Sequence, residues 1–336
     1  MSNLNKTRCS NIELLRICLM SMIVLWHIII HGIINSNFQL SLLEKMKLGG
    51  GLSLICYHVN TFILISGYYG IKLSKHNFLS YCFQIFFYVF IAYILYLYTD
   101  NEKDGLLEFD IRQLFPIHFH GLWFAKNYLF LMLLAPFINC GSFMVSKKTF
   151  LTIIITLLTY HQITIDYNST SELHFFLMYL IGRYISIYPI GFIEKNSYTL
   201  FVCGLILILI GTIICILLLN KELHFVYGRL LSYTNPIVIA ISIFCFVSAK
   251  NFFLYQTPII NFLAKGSFAV YLFTDGFLRN LFVSTCFDLT GTCLTLLLSI
   301  AIIVTIALSL TDYARRYLFS LIYHSLKRGI KLNSIK

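Results

Sequence analysis

The segment Ile12 to Ile34 reads IELLRICLMSMIVLWHIIIHGII, an unbroken apolar run that carries Arg16, His27 and His31 inside it. About 20 predominantly apolar residues cross a hydrocarbon core of about 30 Å, so this run predicts a membrane-spanning helix. Arg16 and His27 stand eleven residues apart, close to three turns, which places both side chains on one helix face roughly 16 Å apart along the axis. His31 follows His27 by one turn on the same stripe, and Glu13 lies one turn below Arg16. An Arg at the bilayer centre costs about 2.5–3.5 kcal/mol on insertion scales, so ionisable groups at such depth mark a functional site.

The rest of the chain places this helix among others like it. Of 336 residues, 58% are hydrophobic and only 12% charged, with a mean hydropathy of +0.80; soluble domains carry about 25% charged residues. These values predict an all-α, polytopic membrane helical bundle. About ten apolar stretches are long enough to span, near 12–34, 50–71, 78–98, 121–140, 149–165, 173–193, 198–219, 235–255, 266–287 and 291–312. The runs are too long and too continuously apolar for the alternating strands of an outer-membrane barrel.

If ten helices alternate, seventeen of the 25 Lys and Arg fall on one side, among them Lys6, Arg8, Lys72, Lys75, Lys147, Lys148, Lys265 and a basic run from Arg315 to Lys336. By the positive-inside rule both termini are expected in the cytoplasm, and a chain heavy in Ile, Asn, Lys, Tyr and Phe suggests a bacterium, whose inner (plasma) membrane it would span. The largest opposite loop, Thr99 to His120, is acidic, with Asp100, Glu102, Asp104, Glu108 and Asp110 against Lys103 and Arg112. The net charge of +11 is therefore a topology signal, and with no nucleic-acid motif beside it no nucleic-acid partner is expected. Residues 1–312 read as one membrane domain and 313–336 as a basic cytoplasmic tail suited to the inner leaflet. The polar lead lacks a small-residue cleavage site, so the first helix reads as a retained anchor. The ten cysteines form no C-x-x-C, although Cys286 and Cys293 flank an external turn that a disulfide would close. The sequon Asn168-Ser169-Thr170 falls on an external loop and carries meaning only in a secretory eukaryotic host.

Each polar group inside a span has two readings. His27 either performs chemistry or hydrogen-bonds a neighbouring helix. The His27–His31 pair has the spacing of a zinc site but lacks a third ligand, and no metal is expected. Asp275 and Arg279 are one turn apart in the ninth run: they either neutralise each other or line a polar cavity in which Arg279 holds a hydroxylated or anionic ligand. Trp123, Lys126 and Tyr128 open the fourth run, near His118 and His120; the aromatics are interface anchors or the wall of a sugar-binding vestibule.

Five segments, taken together, resemble one family. Ile12-Glu13-Leu14-Leu15-Arg16 followed by His27 resembles the first helix of the acyltransferase 3 family of integral membrane O-acyltransferases, which carries an Arg and a His with ten residues between them. Asn60-Thr61-Phe62 through Ser66-Gly67-Tyr68 is similar to its second helix, and Leu122-Trp123-Phe124 with Tyr128, Pro136 and Asn139 to a later one. Tyr179 with Gly182, and Val270-Tyr271-Leu272 with Asp275 and Arg279, resemble two further motifs in the same order. Two departures stand out. Thr274 occupies a place where many members have His, and Lys72, Lys75 and Gln84 lie where many carry an Arg-x-x-Arg.

The resemblance implies acyl transfer, most often acetyl, from cytoplasmic acyl-CoA to a hydroxyl of an envelope glycan or lipid-linked sugar. His27 would be the general base or transient acyl carrier, with Arg16 beside it, since an imidazole of reference pKa near 6.5 suits proton transfer at neutral pH. The phosphates of acetyl-CoA would meet Arg16, Lys72, Lys75 and Arg183. Asp275, Arg279, Trp123, Tyr128 and Ser66 would receive the acceptor. The competing class is a transporter or flippase of a lipid-linked oligosaccharide or small anion, which favours inverted repeats and broken helices in matching halves; neither is visible in the sequence.

Overall fold

Every regular element is helical among the residues described by the computed structural model, which are 9–34, 39–100, 122–164, 171–276 and 278–333. The acidic residues 102–110, His118, His120, the sequon at 168–170, Lys6, Arg8 and Lys336 lie outside them.

Among the described residues six stretches are long and apolar enough to cross a membrane, and they make the chain a multi-pass membrane protein. The first is α1 (Ser10–His27), whose helix widens directly after His27 into π-helical turns at Ile28–Ile34. The second, 28 residues from Leu42 to Tyr69, joins α2 (Leu42–Ser53) and α3 (His58–Tyr69) through a tight turn. At its start Ser41 Oγ accepts from Glu44 N (3.3 Å) while Ser41 N donates to Glu44 Oε2 (2.9 Å), so two otherwise orphaned amide donors are satisfied. The others are α4 (Lys75–Asp100), α5 (Trp123–Met144), α8 (Gly191–Leu217) and α14 (Leu294–Asn333). Large apolar side chains such as Leu207 (57% exposed) and Ile303 (64%) face outward on α8 and α14, as lipid contact requires.

Three more of the apolar stretches are helical but shorter or less apolar: α6 (Lys147–Thr164), α7 (Glu172–Ile187) and, after the three-residue α9 (Leu223–Phe225), α10 (Pro236–Asn251). The run 266–287 is not one helix. After the short α11 (Pro258–Ala264), α12 covers Ser267–Thr274 and α13 starts at Arg279. Asp275 leaves the helical region at φ −112°, ψ 0°, and Gly276 follows it, where the missing side chain makes an interruption cheap. The 40 residues of α14 run through Asp312 without a break. Buried there, Asp312 takes both Nε and Nη2 of Arg315 at 2.9 Å and the Tyr88 hydroxyl at 3.0 Å, tying α14 to α4. All ten cysteines are free thiols, with Cys286 buried and Cys293 exposed, so the turn between them is not bridged.

Two devices hold the bundle around α1. Ser10 Oγ donates to Asn261 Oδ1 (3.1 Å) and accepts from Thr257 N (2.8 Å), while Asn11 Nδ2 donates to the carbonyls of Ala249 and Lys250. The start of α1 is thereby clasped to α10 and α11. Across the bundle, α3 and α7 cross at Gly67 and Gly182. A Cβ on Gly67 would run into the Tyr179 carbonyl, and one on Gly182 would come within 2.6 Å of the Leu64 carbonyl. Tyr179 closes the same corner by donating to Asn139 Oδ1 (2.8 Å) and accepting from Ile71 N (2.9 Å).

Gly182→Ala should therefore force the two backbones apart and cost about 1–3 kcal/mol, read as a lower melting temperature of the detergent-solubilised protein. Gly141→Ala, where nothing lies within 4 Å, is the control; equal stability of the two variants would refute the close crossing.

Candidate active site

The α1 face that bears Arg16 and His27 borders a cavity of about 250 Å³, and both residues line it. The cavity therefore brings together the two groups that the sequence placed on one stripe. Met20 and Ile23 of the same face complete the α1 wall. The opposite walls come from α3 (Val59, Phe62, Ser66), α4 (Tyr81, Gln84), α5 (Trp123, Phe124, Tyr128) and the α11–α12 joint through Tyr271. Ser66 Oγ and the Tyr128 hydroxyl lie 3.4 Å apart on this wall.

Behind His27 the interruption between α12 and α13 supplies charge. Asp275 is buried, with Oδ1 3.9 Å from His27 Nε2 and 3.4 Å from Arg279 Nη1. The pairing of Asp275 with Arg279 expected along a helix thus forms across a break instead. Neither residue is on the lining of the cavity that His27 borders. His27 Nδ1 has no hydrogen-bond partner among the described residues. Gly32 admits α13 to this place, because a Cβ there would meet Val283 Cγ1 at 2.5 Å. The His31 ring is 5.7 Å from that of His27.

The cations lie in different places. Lys72 and Lys75 are exposed at the α3–α4 connection, outside the cavity. Arg183 is 6% exposed, with Nη1 3.5 Å from the Tyr68 carbonyl and its guanidinium 5.3 Å from the centre of the Phe143 ring. It belongs to the α3–α7 corner. Arg16 is 28% exposed by side chain and pairs with Glu13 at 3.4 Å.

Several lining residues have no site role assigned from the sequence. Tyr233 stacks on Trp123 with ring centres 5.9 Å apart and is fixed by Asn60, whose Nδ2 donates to the Tyr233 carbonyl (2.8 Å) and whose Oδ1 meets His174 Nε2 (2.7 Å). Tyr81 stacks on Phe268 at 5.2 Å, and Tyr271 accepts from Phe124 N at 3.3 Å. Gln84 and Lys265 add polar groups. Tyr233 and Lys265 sit in connections, where no periodicity marks them; Tyr81 and Gln84 are single residues in an apolar run. Among the described residues no three His, Cys, Asp or Glu side chains gather as a metal site.

A family model described as an acyltransferase domain matches residues 10–312, which include every motif quoted above. No curated protein and no solved structure matches the chain.

Removing either partner of the Asp275–Arg279 pair should destabilise the protein more than removing both. A thermal-stability cycle of Asp275→Asn, Arg279→Gln and the double variant should give a coupling of roughly 0.5–3 kcal/mol; additive effects would show that the two charges do not sense each other.

Proposed function

We propose, for a chain that belongs to the acyltransferase 3 family, that it transfers an acetyl group from acyl-CoA to a hydroxyl of an envelope glycan or lipid-linked sugar. The single observation that carries this reading is the shared cavity of Arg16 and His27 inside an apolar bundle. A walled space with one imidazole, a backing carboxylate and aromatic faces suits a hydroxyl acceptor and a slim thioester arm. The Trp123–Tyr233 stack and Tyr128 offer the flat apolar faces on which a sugar ring packs. No feature of the cavity favours the transport reading.

In this mechanism His27 takes the proton of the acceptor hydroxyl as its oxygen attacks the thioester carbon. The C–O bond forms, the C–S bond breaks, and the proton passes from the imidazole to the leaving sulfur, giving free coenzyme A. Asp275 orients the ring and steadies its charge while the proton is held, the role of the third group behind a nucleophile–base pair. Arg16 faces the negative charge of the donor or of the developing oxyanion. Ten passes with both termini in the cytoplasm of the inner membrane would set Arg16, Lys72 and Lys75 on the side where acyl-CoA is found, with the two lysines meeting phosphates outside the cavity. Arg183 is held by the α3–α7 corner and serves packing in this account.

His27→Ala should lower the rate of acetyl-CoA-dependent coenzyme A release, with acceptor present, by about 10²–10⁴ while leaving folded yield unchanged. Folded variant protein that keeps most of the wild-type rate would take His27 out of the mechanism.

A further inference from the structure

Tyr233 reaches the cavity from a segment that has no helix to hold it. It belongs to none of the five motif segments and comes from the non-helical residues 231–235, between the π-helical turns Val226–Leu230 and α10. Its ring centre is 5.9 Å from that of Trp123 at an interplanar angle of 27°, 6.2 Å from Trp26 and 5.7 Å from His58. The flanking Ser232 and Thr234 are buried, whereas Tyr233 is half-buried on the cavity lining. Its hydroxyl has no hydrogen-bond partner among the described residues.

Other helices hold this segment in place. Asn60 Nδ2 of α3 donates to the Tyr233 carbonyl (2.8 Å) and Gln162 Nε2 of α6 donates to the Thr234 carbonyl (2.7 Å), so two successive carbonyls are tied to two helices. The Asn60 side chain is buried and spends its nitrogen on Tyr233, which leaves Oδ1 as the acceptor for His174 Nε2 at 2.7 Å. The imidazole of His174, buried at the start of α7, must therefore carry its proton on Nε2. The segment also closes on itself, with Ser232 Oγ 3.0 Å from Thr234 Oγ1 and Asn235 Nδ2 donating to the Leu230 carbonyl at 3.0 Å. A buried chain from His174 through Asn60 to Tyr233 favours one geometry, because breaking a link leaves a buried polar group unpaired.

We infer that Tyr233 determines which acceptor this cavity takes, and that His174 and Asn60 are positioning residues that hold its ring beside Trp123 to receive a pyranose ring. This rests on the sugar-acceptor reading above. An aromatic face packs on the apolar C–H face of a pyranose, and the free Tyr233 hydroxyl supplies a hydrogen bond to a ring substituent. An acyclic polyol offers similar hydroxyls without a rigid face and must be ordered on binding, so this platform rejects it.

The chain has two tryptophans, Trp26 and Trp123, and the Tyr233 ring is near both, so the emission of the full chain in detergent reports on the platform directly. Titration with methyl β-D-glucopyranoside or methyl β-D-galactopyranoside should shift the emission of the wild type, and D-glucitol should not. Tyr233→Leu should weaken glycoside binding about tenfold, and Asn60→Leu and His174→Leu should weaken it with Tyr233 still present. His174→Gln, whose amide still donates to Asn60, should restore most of the affinity. In coenzyme A release the same variants should raise the KM for the glycoside and leave the KM for acetyl-CoA unchanged. Absence of glycoside binding to the wild type, equal binding to Tyr233→Leu, or glucitol binding as tightly as the glycosides would overturn the proposal. So would a matching rise in both KM values, which marks a general loosening of the fold. Wild-type protein that binds the glycosides through Tyr233 yet releases no coenzyme A would remove the acyl-transfer reading and leave the platform standing.

Discussion

A charge carried into hydrocarbon must be met by another charge or by a ligand, and this chain is organised by where it meets that demand. Asp275 is the centre of one such arrangement. Its carboxylate is buried between the His27 ring and the Arg279 guanidinium, reachable only because the ninth apolar run breaks after Thr274 and lets α13 approach α1 over Gly32. A continuous helix would have kept the i, i+4 pair to itself on one face. The break turns a self-neutralising pair into support for an imidazole on a neighbouring helix. The widening of α1 into π-helical turns begins at the residue after His27, which is where such irregularities often accompany a functional group.

The second demand is met differently. Arg16, which lines the cavity, is paired to Glu13, while Gln84 Nε2 on the same lining has no partner among the described residues. The His27 imidazole has the Asp275 carboxylate 3.9 Å away, and the cavity lining is rich in aromatic side chains.

These positions hold because small residues and capped ends let helices approach closely. Gly67 and Gly182 bring α3 and α7 into backbone contact, as small residues do where lipid offers no hydrophobic drive for association. Tyr179, Asn139 and the Ile71 amide then lock the corner by hydrogen bonds. Motif residues that look catalytic in a list of polar groups, such as Tyr179 and Asn139, belong to this scaffold. Asn60 does the same for the cavity wall, since it carries Tyr233 on one side of its amide and His174 on the other.

Much of this was legible in the chain itself. Apolar length and sparse charge specify a helical membrane protein, because a backbone in lipid must satisfy its own hydrogen bonds. The eleven-residue spacing puts Arg16 and His27 on one face, because helix pitch is set by backbone geometry. The family motifs could be read for the same reason: they are local strings. What local pattern could not decide was which distant side chains share a space. Lys72 and Arg183 look like Lys265 in the sequence, yet Lys72 is exposed outside the cavity, Arg183 is buried in a packing corner, and Lys265 lines the cavity. The contact of Tyr233 with Trp123 and the sharing of one cavity by Gln84 and Arg16 arise from helix crossings between residues far apart in the chain. Periodicity carries no information about such contacts; only the packed bundle does.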